Sequence, residues 1–437
     1  MLFKLTGQDR EGPWQKEPVT HINSSLSFVT DVAAAVPLRN NQNPKPCFEG
    51  QQPGHDGFRL TEIERDQILA KEPEASAVIL PYLNGDELLG CEHEHAPRFI
   101  IDFGNRSMDE AMRYKHTFAH IKKLVLPKWQ ANAEEERKRT GKEKGEHQNR
   151  LQTWWLLKRP REQMLEAIAP LARYIACARV TKRPVFEFLS SNIRPDSSLT
   201  IFSFADDYSF GILQSGIHWL WFTTKCSTLT ERFRYTSDTV FDTFPWPQFE
   251  MGSAPAPGAA GDALVVGPDV PQRANAKVRR EGAANHTRGA CAPQIEKIRA
   301  VAEAARALRT LRHEIMQAND WSLRELYKSL ETPGENRLRD AHAALDAAVR
   351  AAYGMKPAED ILAFLLKLNL ELADKETKGK TITPPGLPAF VKEPQSFVSR
   401  DCVRSPDDPE ADGSTAKSAA EAAHFYGKEE GPPYRTK

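Results

Sequence analysis

The sequence predicts an α+β protein: a mixed or antiparallel β-rich domain with basic helices, then a linker, then a small helical domain. Three observations predict it. Short aromatic and β-branched runs follow one another between residues 184 and 222 without alternating with long helices. Apolar residues recur at helical spacing after residue 294. Between these regions lies an Ala/Gly/Pro-rich stretch with no periodicity. At 437 residues and 40% hydrophobic, the chain has room for two or three cores, while its 31 prolines imply long irregular stretches.

Residues 1–60 are irregular, with Ser25 to Val36 able to form a strand or a short apolar turn. Gly50, Gly54 and Gly57 lie between Phe48 and Phe58 and predict a tight loop. They make no GxGxxG fingerprint, so a dinucleotide site is not expected. Thr61 and Glu64 form a capping box that opens a helix. Ala77 to Leu83 is an edge strand or strand end because of Pro81, and Arg98 to Phe103 is a strand stopped by Gly104-Asn105. Ser107 precedes a helical region running towards Glu146, broken at Pro127 and Gly141.

Four runs, VFEFL, LTIFSF, YSFGIL and HWLWF, predict strands, with Trp219 and Trp221 sharing one core-facing side of the last. Residues 251–293 are expected to be a linker. Beyond it come helices at Ile295 to Leu311, after the Ser322/Glu325 capping box, at Arg337 to Tyr353 (ended by Gly354) and at Ala358 to Lys375. The polar, Pro-containing residues 377–437 predict a disordered tail.

Lys+Arg and Asp+Glu both total 59, so no polyanion partner follows from net charge. Locally, residues 113–183 carry 18 Lys/Arg against seven Asp/Glu. A solvated helix face explains such an excess. Phosphate contact explains it as well, because cations that neutralise DNA phosphates release counterions. Trp129, Trp154, Trp155 and Tyr174 are interleaved with these cations, which favours nucleic acid. The six cysteines are scattered without a CxxC pair, no apolar run is long enough for a membrane span, and the start lacks a signal-peptide core. A cytoplasmic protein with free thiols and no membrane association is expected.

Cys91, His93 and His95 have metal-ligand chemistry but no second ligand pair, so a charged surface loop is expected. Lys378-Gly379-Lys380-Thr381 has Asp374 where a P-loop needs its first glycine. Glu136-Arg137-Lys138 lacks the partnering strand of a nuclease ExK. Asp206-Asp207 fits a turn before a strand as well as it fits paired carboxylate chemistry. No GxSxG, HExxH or Asn-Pro-Pro-aromatic motif occurs. The most informative polar group is Arg232, Arg234 and Tyr235. An arginine fork matches guanine O6/N7 or a phosphate; it also stacks on aromatics or pairs with neighbours such as Glu231 or Asp238.

An ordered set of segments resembles the C-terminal part of MmeI-like type IIL/IIG restriction–modification proteins and related phage-exclusion adenine-specific DNA methyltransferases. It comprises Cys47-Phe48-Glu49-Gly50 with Gly57-Phe58, Ile79 to Leu83, Ile101-Asp102-Phe103, Thr153-Trp154-Trp155 and Arg159-Pro160-Arg161. It continues with Asp207 to Ser215, His218-Trp219, Phe233 to Thr236, Phe241 to Pro247, Ser322 to Tyr327, Pro333-Gly334 with Asn336, Ala341-His342 and Leu345-Asp346.

The resemblance implies that 61–250 is a target-recognition domain reading double-stranded DNA and 294–376 a C-terminal helical part. Residues 1–60 then form the junction with a missing methyltransferase core. Lys122, Lys123, Lys128, Arg159 and Arg161 are expected at phosphates, and Arg232, Arg234 and Tyr235 at bases. S-adenosyl-L-methionine and the adenine-N6 chemistry belong to the full-length enzyme. The chain lacks the Gly-rich cofactor and Asn-Pro-Pro motifs, so no catalytic, cofactor or metal residue is assigned. A truncated or split enzyme is expected, with a separate core polypeptide as candidate partner in restriction–modification or phage defence. The competing reading is a non-catalytic interaction module without DNA binding, in which the helical end docks a partner and the basic face is only solvated.

Overall fold

The computed structural model describes residues 2–6, 15–19, 30–90, 96–229, 232–249 and 275–404. The Cys91/His93/His95 loop, most of the first thirty residues, the stretch 250–274 and residues 405–437 lie outside this set.

β1 (Leu2–Thr6) and β2 (Gln15–Val19) pair as an antiparallel hairpin. After the one-turn α1 (Arg39–Gln42) comes β3 (Cys47–Glu49), then the glycine-containing loop, β4 (Arg59–Leu60) and α2 (Glu62–Leu69). The Thr61/Glu64 capping box that opens α2 is formed as the sequence predicts. β5 (Ile79–Leu83), α3 (Gly85–Gly90) and β6 (Arg98–Ile101) follow. Next are α4 (Met108–Ala111), capped by Ser107, then α5 (Lys115–Leu124), α6 (Leu126–Thr140), α7 (Glu146–Leu151) and α8 (Glu162–Ile168). Pro127 sits in the first turn of α6, where its missing N–H has no intrahelical acceptor to serve, and Gly141 closes that helix at φ 66°.

The central strands are β7 (Arg173–Ala178), β8 (Val180–Thr181), β9 (Phe186–Ser190), β10 (Arg194–Pro195) and β11 (Leu199–Phe202). α9 (Asp207–Gln214), α10 (Gly216–Lys225), β12 (Ser227–Leu229) and β13 (Arg232–Arg234) come next. The helices α11 (Asn275–Asn319), α12 (Leu323–Lys328), α13 (Arg337–Tyr353) and α14 (Ile361–Thr377) follow.

Besides the β1–β2 hairpin, three sheets organise the described elements. One has the order β10-β5-β6-β4 and is covered by α5 and α6 through Phe58, Tyr82, Phe99, Phe118, Ile121, Val125, Trp129, Trp154 and Trp155. The second, β3-β11-β7-β9, is antiparallel and buried on both faces. Cys47, Ile175, Cys177, Phe186, Phe188 and Phe202 face the large helical core, while Phe48, Tyr174, Ala176, Leu189 and Ile201 face α3 and α8. The third is the small antiparallel sheet β12-β13-β8. The architecture is α+β, as the strand pattern predicts.

Four expectations change. YSFGIL and HWLWF are helical, in α9 and α10. Asp206 caps the first by accepting from the Ser209 amide (2.7 Å), and Ser215 caps the second by accepting from the His218 amide (3.3 Å). Within YSFGIL and HWLWF apolar residues are too dense for a period of 3.6 to stand out against a period of two. Asp206-Asp207 is consequently a helix start and not a turn before a strand. Trp129, Trp154, Trp155 and Tyr174 are core residues and offer no stacking surface.

The tail is the third change among residues 378–404, which are packed. Phe397 and Val391 are buried, and Val403 pairs in parallel with Leu189 at the open edge of β9 (Val403 N to Phe188 O 2.8 Å, Ser190 N to Val403 O 2.9 Å). Long-range contacts hold this segment, so no local periodicity announces it. Fourth, residues 275–293 of the expected linker begin α11. The helices also share one core with the central sheet. Gly211 of α9 lies so close to α11 that an added Cβ would sit 2.7 Å from Val301 Cγ1.

Candidate nucleic-acid interface

The glycine loop of residues 50–57 packs against the elements that carry the predicted phosphate-contacting cations. An added Cβ on Gly57 would meet Leu124 Cβ at 2.8 Å, and one on Gly54 would meet Lys158 Cβ at 2.7 Å and Trp129 Cζ2 at 3.5 Å. Only glycine lets the loop thread between the α5–α6 corner and residues 158–161, and Gly54 also needs its positive φ of 86°. Gln52 exchanges both backbone hydrogen bonds with Arg159 (3.0 Å each). Lys122 and Lys123 at the end of α5, Lys128 in the first turn of α6 and Arg159 are all exposed. Lys123 also borders a groove of about 350 Å³ between α2 and α5, with Glu64, Lys71, His116 and His120. Burial lowers the His120 pKa there, against the opposing pull of Glu64.

Arg161 departs from its expected role. Its guanidinium donates to the Glu49 carboxylate and to the Gly50 carbonyl (3.4 Å), and its backbone adopts the left-handed conformation at φ 59°. It holds the loop to the start of α8 and is not free for a phosphate. Glu49 also pairs with Arg179, a residue the sequence reading did not single out. The Arg179 carbonyl in turn accepts the Tyr235 amide (2.8 Å), so Glu49 ties the cation-rich junction to the small sheet.

On that sheet the three predicted base-contacting residues separate. Arg234 is exposed in the central strand, opposite Val180 on one side and Ser227 on the other. Arg232 pairs with Leu229 through the backbone, and its side chain lies outside the described residues. Tyr235 faces inwards and is 1% exposed. Its hydroxyl lies 3.0 Å from His218 Nε2, while His218 Nδ1 lies 2.7 Å from the Leu213 carbonyl. A carbonyl only accepts, so Nδ1 carries the hydrogen and Nε2 accepts from Tyr235. Burial pushes the His218 pKa down to about 4, which keeps the imidazole neutral. Tyr235 therefore fixes the strand and reads no base. The alternation is visible in sequence as Phe233-Arg234-Tyr235, since two aromatics flanking an arginine at period two mark an outward arginine between inward rings.

A cavity of about 450 Å³ lies between α10 and α13, lined by Arg183, Trp219, His342, Asp346 and Arg350 among others. The Arg183 guanidinium stacks 4.5 Å from the Trp219 ring centroid, and the Asp346 carboxylate accepts the Gly216 amide at 2.6 Å. Burial, together with the nearby Arg312 and Arg183, pushes the His342 pKa down to about 3. None of the predicted site residues lines this cavity.

A buried charge cluster lies elsewhere. Asp207 is fully buried and accepts from Arg173 (2.9 Å), Arg306 (2.6 Å), Arg309 and the Ser399 hydroxyl (2.7 Å). Burial pushes this carboxyl up, but the arginines and Ser399 override it and hold the pKa below the usual range. Asp401 pairs with Arg309 and Arg173 from the C-terminal segment. The cluster clamps α9, α11, β7 and residues 396–404 together. Among the described residues no group of three or more His, Cys, Asp or Glu side chains is placed to hold a metal, and no helix is long and apolar enough to cross a membrane.

Comparison with known proteins agrees with this architecture. No curated protein matches the chain. Among solved structures, the type IIL restriction-modification enzyme MmeI in complex with DNA matches with a TM-score of 0.56 at 20% identity, over 85% of this chain and 41% of that one. The chain thus spans about two fifths of the MmeI chain, and the likeness is one of fold. Residues 37–248 match the family described as MmeI, target recognition domain. This stretch takes in the glycine loop, the exposed cations, the Glu49 link and the small sheet, so the part of the chain similar to that target recognition domain is the part that carries the candidate interface.

Proposed function

We propose that this chain reads a sequence in double-stranded DNA as the recognition part of an adenine-N6 methyltransferase in a restriction–modification or phage-defence system. One observation carries the reading. The recognition domain presents an exposed arginine on a narrow sheet, tied through Glu49 to the glycine-loop junction, and the elements that meet there, α5, α6 and residues 158–161, carry the exposed Lys122, Lys123, Lys128 and Arg159. The sheet supplies base contact and the junction supplies phosphate contact, the division of labour that sequence readers use.

S-adenosyl-L-methionine would be the methyl donor of the core that this module serves. The described residues do not fit that cofactor. The one parallel pairing between named strands is the two-residue contact of β10 with β5, whereas a nucleotide-type cradle is built on longer parallel strands followed by helices. Methyl transfer is accordingly assigned to a methyltransferase core other than this domain, on the same or another polypeptide. The docking-module alternative gains no specific support, because the helices it would offer to a partner are already packed on the central sheet.

Titrating duplex DNA at several salt concentrations tests the proposal. Four phosphate-contacting cations give a slope of log K against log salt of about −3.6. Lys128→Ala should reduce that slope by about 0.9 and weaken all sequences alike. Arg234→Ala should relax preference at one base pair, costing about 1–3 kcal/mol there. Binding insensitive to salt, or two variants with the same effect, would refute the assignment.

A further inference from the structure

We propose that Val180 is a second specificity residue, contacting the 5-methyl group of a thymine beside the base pair that Arg234 reads. The inference rests on the DNA-reading function proposed above. Val180 lies directly opposite Arg234 in the register of β8 against β13, and directly opposed residues share a face of a sheet. It is 45% exposed, whereas its neighbour Thr181 is buried on the other face with Phe233 as its register partner. An apolar β-branched side chain and an arginine are thus presented outwards side by side. The exposed Lys182 follows two residues after Val180, available to a flanking phosphate.

The dimensions suit a major groove. Three strands at about 4.8 Å spacing span roughly 10 Å between outer backbones, against a groove about 12 Å wide. Opposed Cβ atoms lie about 5 Å apart, comparable to the roughly 3.4 Å rise between adjacent base pairs. If the arginine fork occupies a guanine edge, Val180 meets the neighbouring pair. The thymine methyl is the apolar group that the major groove displays there. A single exposed valine has no meaning by itself; its register with Arg234 on a recognition domain gives it one.

The test uses the full chain. A randomised duplex library first yields the preferred site, and Arg234→Ala identifies the position that arginine reads. Each thymine of the site is then replaced by deoxyuridine, which removes only the methyl group. One replacement next to the Arg234 position should weaken wild-type binding by about fourfold, the worth of one buried methyl. Val180→Ala should bind thymine and deoxyuridine duplexes equally at that position and keep the wild-type response elsewhere, while Val180→Thr, which retains a methyl, should preserve much of the discrimination. A selected site with no methyl-sensitive neighbour, or undiminished sensitivity in Val180→Ala, overturns this inference and leaves the DNA-reading function standing. Failure to select any sequence overturns both.

Discussion

Replacing Tyr235 by phenylalanine separates a structural from a reading role. The ring keeps its contacts, edge-on to Phe202 at 5.4 Å and beside Phe222 at 5.1 Å between centroids. Only the hydroxyl leaves, and with it the single donor to His218 Nε2, since Nδ1 already serves the Leu213 carbonyl. His218 is fully buried, so no water replaces the lost donor. An orphaned buried acceptor costs about 1–3 kcal/mol. Urea unfolding should therefore show a lower midpoint at unchanged slope, while library selection returns the same preferred sequence as the wild type. A changed preference at one base pair with an unchanged midpoint would show that the hydroxyl faces DNA, and would refute the derivation.

His218 also makes stability depend on pH. Its pKa is about 4 in the folded chain against about 6.5 for an unfolded histidine. Between these values the unfolded state binds more protons, so stability falls as pH drops, by about 3 kcal/mol at pH 4; His218→Gln should flatten that part of a pH series of urea midpoints. Asp207→Asn should cost about 3–5 kcal/mol, because three arginines lose a fully buried counter-charge. Asp401→Asn should cost only about 1–2 kcal/mol, because its half-exposed carboxylate is screened. The reverse order in thermal or urea unfolding would contradict the clamp. Gly211→Ala should destabilise by about 1–3 kcal/mol by forcing α9 and α11 apart at Val301, which the same unfolding assay measures.

What was legible in the sequence was local. Thr61, Ser107 and Ser322 each cap a helix through side chains three residues away, a pattern complete within four residues. The strands at Ile79–Leu83, Arg98–Ile101, Phe186–Ser190 and Leu199–Phe202 are short runs rich in aromatic or β-branched residues. What escaped was either uniform or distant. α9 is buried at every position from Asp207 to Gln214, and such a run carries no period to read. Asp401 finds Arg173 across more than two hundred residues, and Glu49 finds Arg179 across more than a hundred. Within the candidate site, orientation was legible only where a strand alternates, at Phe233-Arg234-Tyr235, and not elsewhere: Arg161 and Arg159 are two residues apart, yet only Arg161 is held by Glu49. The aromatics among the cations were the misleading cue, because tryptophan fills a core as readily as it stacks on a base.

On the proposed function, the arrangement of β13 places base reading and stability in different side chains of one strand. Phe233 packs against Phe222 at 6.0 Å, and Tyr235 is locked to His218; Arg234 between them points away from both. Its side chain contributes little to the core, so Arg234→Ala should shift unfolding free energy by no more than about 0.5 kcal/mol. The backbone that aims it is fixed on both sides, by the Tyr235 amide on the Arg179 carbonyl and by the ladder to β12. A reading residue can then change without cost to the fold, and new residues at this position should give new preferences on an unchanged scaffold. The measurement is a set of Arg234 substitutions scored for both unfolding midpoint and selected sequence. Constant midpoints with position-limited changes in preference are expected. Midpoints that fall together with altered preference would mean that Arg234 is bound into the fold, and that the separation of roles along this strand is wrong.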